Sequence, residues 1–210
     1  MYLPDLSIEM ESSGGVVAGV DEAGRGSWAG VVVAAAVILD RKNIPAGIND
    51  SKKLKAAKRE ELYDHILNTS YSGVGMADAK EIDSLNILEA TKLAMSRAVL
   101  ELSNKFNDNI NLVLIDGNKS PVLPYPTKTV INGDSKSLSI AAASIIAKVT
   151  RDRIMKELSI VHPEYGWESN AGYGTKKHMA AIERYGITDY HRKSYKPIAK
   201  FIGNNAEETA

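Results

Sequence analysis

Four carboxylates stand out by type and placement: the adjacent pair Asp21 and Glu22, then Asp116 and Asp134. Val16 to Val20 leads into the pair, and Leu112 to Ile115 leads into Asp116. Thr127 to Ile131 is followed by Asn132-Gly133 and then Asp134. Short apolar runs of this kind read as buried strands, so each acid stands at or just past a strand end. A sheet brings strand ends together however long the sequence gaps. Four carboxylates gathered without cations repel one another and raise each other's pKa. Divalent metals remove that cost, and oxygen-only ligands suit Mg²⁺ or Mn²⁺. Two such ions can activate a water and stabilise the leaving oxygen in phosphodiester hydrolysis. Taken singly, each acid is also an ordinary turn former or cap. Asp134 is the most open to that alternative, because it just precedes a helix, where an acid favours the positive end of the dipole.

The adjacent pair raises a geometric question. Successive side chains on a regular strand point to opposite faces, so Asp21 and Glu22 reach one ligand only if the strand bends or ends there. The following Ala23-Gly24-Arg25-Gly26 permits a bend, and its glycines let bare backbone approach a ligand. Arg25 is either a phosphate contact or a partner for the neighbouring acids.

The elements that must hold these residues follow from periodicity. Strands are predicted at Val16–Asp21, Ala29–Leu39, Tyr71–Ala77, Asn111–Gly117 and Thr127–Ile131. Helices are predicted from Lys55 to Asn68 with Ser51 as a plausible cap, and from Leu85 to Lys105 capped by Asp83 or Ser84. A long helix spans Lys136 to Ile160, with Ala141-Ala142-Ala143-Ser144 small enough to pack closely on a sheet. His162 to Gly174 reads as a loop, and a short helix from Thr175 to Tyr185 is stopped by Gly186. Met1 to Gly15 reads as a lead-in and Asn204 to Ala210 as a frayed tail. Strands dominate the first half and helices the second, which predicts a mixed α/β layer with a helical C-terminal cap.

The 210 residues allow one large domain, and 44% hydrophobic content is enough for a full core. Lys+Arg and Asp+Glu both number 26, which argues against a globally basic nucleic-acid binder but leaves room for a basic stripe. Absence of cysteine excludes disulfides and Cys-based metal sites and suits a cytoplasmic protein. No basic run opens the chain as in a secretory signal, and no apolar stretch reaches membrane-spanning length. The four histidines, His65, His162, His178 and His191, lack metal-ligand spacing.

Asp21-Glu22-Ala23-Gly24-Arg25-Gly26 resembles the signature of the ribonuclease HII family, the type 2 ribonucleases H. Further blocks resemble that family in order: Asn49-Asp50-Ser51-Lys52-Lys53-Leu54, Ile82 to Leu88, Leu114-Ile115-Asp116-Gly117 and Gly133 to Ser137. So do Ala141 to Asp152, Gly172-Tyr173-Gly174-Thr175 and His191 to Tyr195, the last in its bacterial form. The resemblance runs from about Val16 to Ile198. It implies a ribonuclease H-like α/β fold, a five-stranded mixed sheet flanked by helices with a helical C-terminal extension. Residues 1–160 would form the catalytic domain, and 161–210 a helical cap and tail completing the substrate site.

By the same resemblance, Asp21, Glu22, Asp116 and Asp134 would be metal-binding catalytic acids. Gly24, Arg25, Gly26, Lys52 and Tyr173 would bind substrate. The cofactor would be Mg²⁺ or Mn²⁺. The partners would be RNA–DNA hybrids and DNA containing ribonucleotides, cut 5′ of the ribonucleotide by a cytoplasmic monomer with no membrane association. Tyr173 would pack beside the sugar at the junction, or else serve as a half-buried anchor for the following helix. Lys52, Lys53, Lys136, Lys148, Arg151 and Arg192 are among the candidate contacts to the nucleic-acid backbone. A proofreading-type exonuclease fits less well, because such sites space their first acid pair and end in a late His or Tyr. A pure binding module has no reason to gather acids where phosphates must sit.

Overall fold

A computed structural model describes residues 3–11 and 15–202. Its centre is one five-stranded sheet in the order β3-β2-β1-β4-β5. The strands are β1 (Val17–Ala23), β2 (Val32–Leu39), β3 (Ser70–Ala77), β4 (Leu112–Asp116) and β5 (Thr127–Val130). β1, β2 and β3 pair antiparallel, whereas β1–β4 and β4–β5 pair parallel, so the sheet is mixed. The helices are α1 (Ser7–Met10), α2 (Ala56–Thr69), α3 (Ala79–Leu85), α4 (Ile87–Lys105), α5 (Leu138–Val161), α6 (Trp167–Asn170), α7 (Lys176–Tyr185) and α8 (Lys196–Ala199). Among the described residues, no helix is long and apolar enough to cross a membrane.

β2 is buried along its whole length, because both faces are covered. Val32, Ala34, Ala36 and Ile38 pack with Ala90, Ala94, Ala98 and Leu102 of α4. Val33, Ala35, Val37 and Leu39 pack with α2 and with Ala141 to Ala147 of α5. The alternation that looked like an undifferentiated apolar run therefore divides two cores. Glycine permits the closest approaches. A Cβ on Gly19 of β1 would lie 2.2 Å from the Ser139 backbone, and one on Gly75 would lie 2.0 Å from the Ala94 carbonyl oxygen. Gly73 and Gly75 do not interrupt β3. They make room for α4.

Several boundaries differ from expectation. β2 begins at Val32 rather than Ala29, because Gly30 takes φ +81° and Ala29 only bridges to His191. β1 does not end at its acids but continues to Ala23, paired to β2 throughout. Ser51 does not cap α2. It opens a short 3-10 turn capped by Asp50. Asp83 and Ser84 do not cap the long helix either. They lie inside α3, which Asp78 and Glu81 close with a capping box, and Asn86 caps α4. Ser137, not Asp134, caps α5. The lead-in holds α1, whose Glu9 accepts hydrogen bonds from Ser137 and from the Ser139 N–H and hydroxyl. The loop from His162 to Gly174 contains a 3-10 turn and α6. The frayed tail expected at Asn204–Ala210 lies outside the described residues.

The glycine under α4 gives a direct check. Gly75→Ala should cost about 1–3 kcal/mol, because the added methyl meets helix backbone that cannot rotate away. The measurement is a urea denaturation series, read as a lower midpoint at unchanged slope. An unchanged midpoint would show that α4 can lift off β3 without loss.

Candidate active site

The parallel pairing of β1 and β4 aligns Val20 with Ile115. Asp21 and Asp116, one residue further along each strand, therefore come side by side. Asp134 arrives in the 3-10 turn Gly133–Ser135 just before α5. Each of the three offers a carboxylate oxygen, and these oxygens all lie within 4.8 Å of one another. Asp21 accepts the Glu22 N–H at 2.7 Å, and Asp116 accepts the Gly133 N–H at 2.6 Å. Gly133 thus anchors the turn that carries Asp134.

Glu22 stays outside this close triad, since β1 remains regular and its side chains alternate. Its carboxylate still lines the same cleft and accepts Arg25 Nη1 at 3.3 Å. Lys52 lies on the other side, 3.0 Å from Asp134 and 3.8 Å from Asp50. The acid cluster therefore already holds one cationic group. Burial, then the charges of Glu22 and Asp116, push the Asp21 pKa well above the ordinary aspartate range. Burial also raises Glu22, against the pull of Arg25, and raises Asp116, against its Gly133 hydrogen bond. Burial alone would lower Lys52, but its hydrogen bond to Asp134 and the surrounding carboxylates raise it overall.

An open cleft of about 350 Å³ spans Asp21, Glu22, Asp116, Gly24, Arg25, Gly26, Lys52 and Tyr173. The structure thus brings all but one of the expected site residues to one cavity, and Asp134 adjoins it through Asp21, Asp116 and Lys52. The two loop glycines are unequal. Gly24 has φ +95°, and a Cβ there would lie 1.9 Å from Arg151 Nε. Gly26 is exposed, and a Cβ there would meet only the Tyr173 ring at 3.8 Å.

The C-terminal segment holds this loop. Gly172 O accepts the N–H groups of Trp28 and Ala29, and Gly30 N–H donates to Tyr190 O. Arg192 Nη1 and the Tyr195 hydroxyl both donate to Arg25 O. Arg151 donates to the carbonyls of Val31, Ala29 and Ala171 and lies 5.6 Å from the centre of the Tyr173 ring. Both arginines are almost fully buried, so neither is the surface contact that the sequence suggested. Burial and the nearby Arg192 charge lower Arg151 to about 10. Tyr173 is 41% exposed at the cleft mouth. Sequence reasoning missed His178 and His191, which are fully buried with their Nε2 atoms 3.1 Å apart. Their separation in sequence carries no ligand-like spacing, so no signal pointed to the pair.

The five-stranded mixed sheet between helices, with acids side by side on its parallel pair β1 and β4, is the ribonuclease H-like fold. It matches ribonuclease H2 from Pyrococcus horikoshii OT3 with a TM-score of 0.73 and 28% identity, over 91% of this chain and 99% of that one. It matches ribonuclease HII of the Archaeoglobus fulgidus PCNA complex at 0.72 and 26%, over 86% and 95%. Bst-RNase HIII, solved in complex with Mn²⁺, shares the fold at 0.74 and 20%, over 92% and 70%. Ribonuclease HII of Jannaschia sp. (strain CCS1) is 53% identical over 200 residues, 95% of this chain and 98% of that protein. Ribonuclease HII of Wolbachia sp. subsp. Drosophila simulans (strain wRi) is 52% identical over 203 residues, covering 96% and 100%. Residues 18–198 match the family described as Ribonuclease HII. The chain belongs to the ribonuclease HII family and is a hydrolytic ribonuclease H of type 2.

Burial of the acids has a measurable consequence for the metal-free protein. Asp21 holds its proton more tightly folded than unfolded. Its contribution to stability is therefore full below the ordinary aspartate pKa of about 4. That contribution is lost as pH rises through the raised folded value. Asp21→Asn should stabilise the metal-free protein at pH 7 by about 1 kcal/mol or more, with the gain vanishing near pH 4. Urea unfolding in EDTA at the two pH values is the check. Loss of stability at pH 7, or a gain equal at both, would exclude charge burial as its source.

Proposed function

We propose that this chain is an endoribonuclease that cuts the phosphodiester 5′ of a ribonucleotide embedded in duplex DNA, and RNA in RNA–DNA hybrids. The products are 3′-hydroxyl and 5′-phosphate ends. The cofactor is a divalent ion, Mg²⁺ or Mn²⁺, and the role is removal of ribonucleotides during DNA repair and replication. One observation carries this: a close carboxylate triad opens into the same cleft as an exposed glycine loop and a half-exposed tyrosine.

The donor set fits hard divalent cations. It is all oxygen, it is held by two paired strands and the turn before α5, and its charge is costly to bury unless a cation shares it. Bound there, such ions would supply a lowered pKa for the attacking water and charge stabilisation for the leaving 3′ oxygen. The protein's own part is placement. Asp21, Asp116 and Asp134 would hold the ions, with Glu22 adding a carboxylate from the neighbouring position on β1. Arg25 holds Glu22 in place. Lys52, exposed beside Asp134, is positioned to meet a substrate phosphate.

Recognition falls to the loop and the strap. Gly26 is exposed and lines the cleft, so its own N–H and C=O can reach a 2′-hydroxyl, which both donates and accepts. Tyr173 faces that loop and packs beside the next, deoxy sugar. We further propose that residues 161–210 act as a cap completing the substrate site. Gly172 O accepts from the loop, and Arg192 and Tyr195 donate to it, which supports this.

Two outcomes are expected. Asp116→Asn should remove nearly all Mg²⁺-dependent cleavage of a labelled duplex with one ribonucleotide, while the wild type gives a single cut on its 5′ side. A gel mapping the cut decides it, and normal turnover by the variant would sink the acid assignment. Tyr173→Ala should slow that cut by about ten- to hundredfold, since a sugar or base contact of this kind is worth roughly 1–3 kcal/mol. Tyr173→Phe should lose less. Cleavage inside a continuous hybrid should change less than the single-ribonucleotide cut. Equal slowing on both substrates would make Tyr173 an anchor only.

A further inference from the structure

Beneath Tyr173 runs a buried chain of hydrogen bonds that the acid site does not use. Its proton positions are fixed by neighbours with no choice of role. The Thr188 backbone N–H donates to His191 Nδ1 at 2.9 Å, so that nitrogen is bare. Neutral His191 then carries its hydrogen on Nε2, which faces His178 Nε2. The Trp167 indole N–H, a donor only, reaches the same His178 Nε2 at 3.2 Å. His178 Nε2 is therefore an acceptor, and its hydrogen lies on Nδ1. That nitrogen stands 3.0 Å from the backbone oxygen of Tyr173, which can only accept. The chain runs one way, from Thr188 through His191 and His178 to Tyr173.

We propose that His178 and His191 are positioning residues for Tyr173, and that their hydrogen-bond chain fixes the backbone from which its ring enters the cleft. This rests on the role given to Tyr173 above. The need for such a hold is visible in the strap. Tyr173 lies between Gly172, at φ +77°, and Gly174, where a Cβ would strike the Trp28 ring at 2.1 Å. A peptide flanked by two glycines is pliable, and the tyrosine ring is half exposed. Ring placement therefore depends on the backbone, and the Tyr173 carbonyl is gripped by Thr175 N–H and His178. Two apolar side chains would fill the same volume without burying polar atoms, but they would offer nothing to that carbonyl. Burial lowers His178, and burial with the neighbouring His178 lowers His191 to about 3. Both rings stay neutral at working pH, as the chain requires.

The test contrasts two amide substitutions. In His178→Asn the amide nitrogen takes the place of Nδ1 and keeps the donation to Tyr173. In His178→Gln the amide reaches the place of Nε2, keeps His191 and Trp167 partnered, and loses Tyr173. Single-turnover cleavage of a duplex with one ribonucleotide is measured for each, with and without Tyr173→Ala. His178→Gln should slow the cut about tenfold, the value of one lost hydrogen bond, and this loss should vanish in the Tyr173→Ala background. His178→Asn should stay within about threefold of wild type. A merely structural pair predicts the reverse order, because glutamine satisfies more of the buried donors. That order, or a glutamine loss that persists without Tyr173, overturns the proposal. Should the variants not fold, imidazole ¹⁵N shifts of the wild type decide. Hydrogen on Nδ1 of His178 and on Nε2 of His191 supports the chain, and any other tautomer pair overturns it. A wild type that fails to cut at a ribonucleotide refutes the proposed function instead, and the ¹⁵N shifts still settle the chain.

Discussion

The parallel contact between β1 and β4 sets Asp21 beside Asp116, and most of the molecule answers to that juxtaposition. Two carboxylates side by side on adjacent strands, with a third delivered by the turn before α5, oppose folding through repulsion and lost hydration. The surroundings are built to withstand this. β1 is flanked on both sides, α5 lies so close that Gly19 cannot carry a Cβ, and Gly133 donates a backbone hydrogen bond to Asp116. The close packing of Ala141 to Ala147 on the sheet is thus part of the acid site's support.

Electrostatics on the other wall run the opposite way. Among the described residues, Arg151 and Arg192 are buried with no carboxylate in salt-bridge contact, each held by backbone carbonyls. Carbonyl dipoles substitute for an anion, at a cost in desolvation that shows in the lowered pKa of both. What this arrangement provides is shape. A guanidinium has several donors in a fixed plane, so one side chain pins several peptide groups of the loop at once. The loop from Gly24 to Gly30 has no regular secondary structure beyond the Ala29 bridge, and these arginines with the Gly172 strap take its place.

Legibility in the sequence followed range. The five strands, the long helices and the cleft residues could be read because apolar periodicity and the motif blocks are local. The alternation argument for Asp21 and Glu22 was sound, but its escape through a bend was not taken. β1 keeps an unbroken register with β2 through both acids, so Glu22 turns toward α4 and lines the cleft beside the Asp21, Asp116 and Asp134 triad rather than within it. Caps were misplaced wherever a side chain had a distant claimant. Asp83, expected to cap a helix, instead accepts from the backbone of Lys193 and Ser194, more than a hundred residues on. Arg151 and Arg192 looked like surface cations because arginine usually is one, and only tertiary packing shows the carbonyls that hold them.

The histidine pair shows why such features stay hidden. A sequence shows which residues can donate or accept, but not which donors face which acceptors. His178 sits in the first turn of α7 and His191 beyond its end, and they meet only because Gly186, at φ +78°, turns the chain back after the helix. Once they meet, every proton is decided by rigid neighbours: a peptide N–H at one end, an indole at the middle and a peptide carbonyl at the other. The polarity of the chain therefore belongs to the fold, not to either imidazole. Burial disfavours the charged form of both rings, and of the acids as well, but only the acids gain from a shared cation.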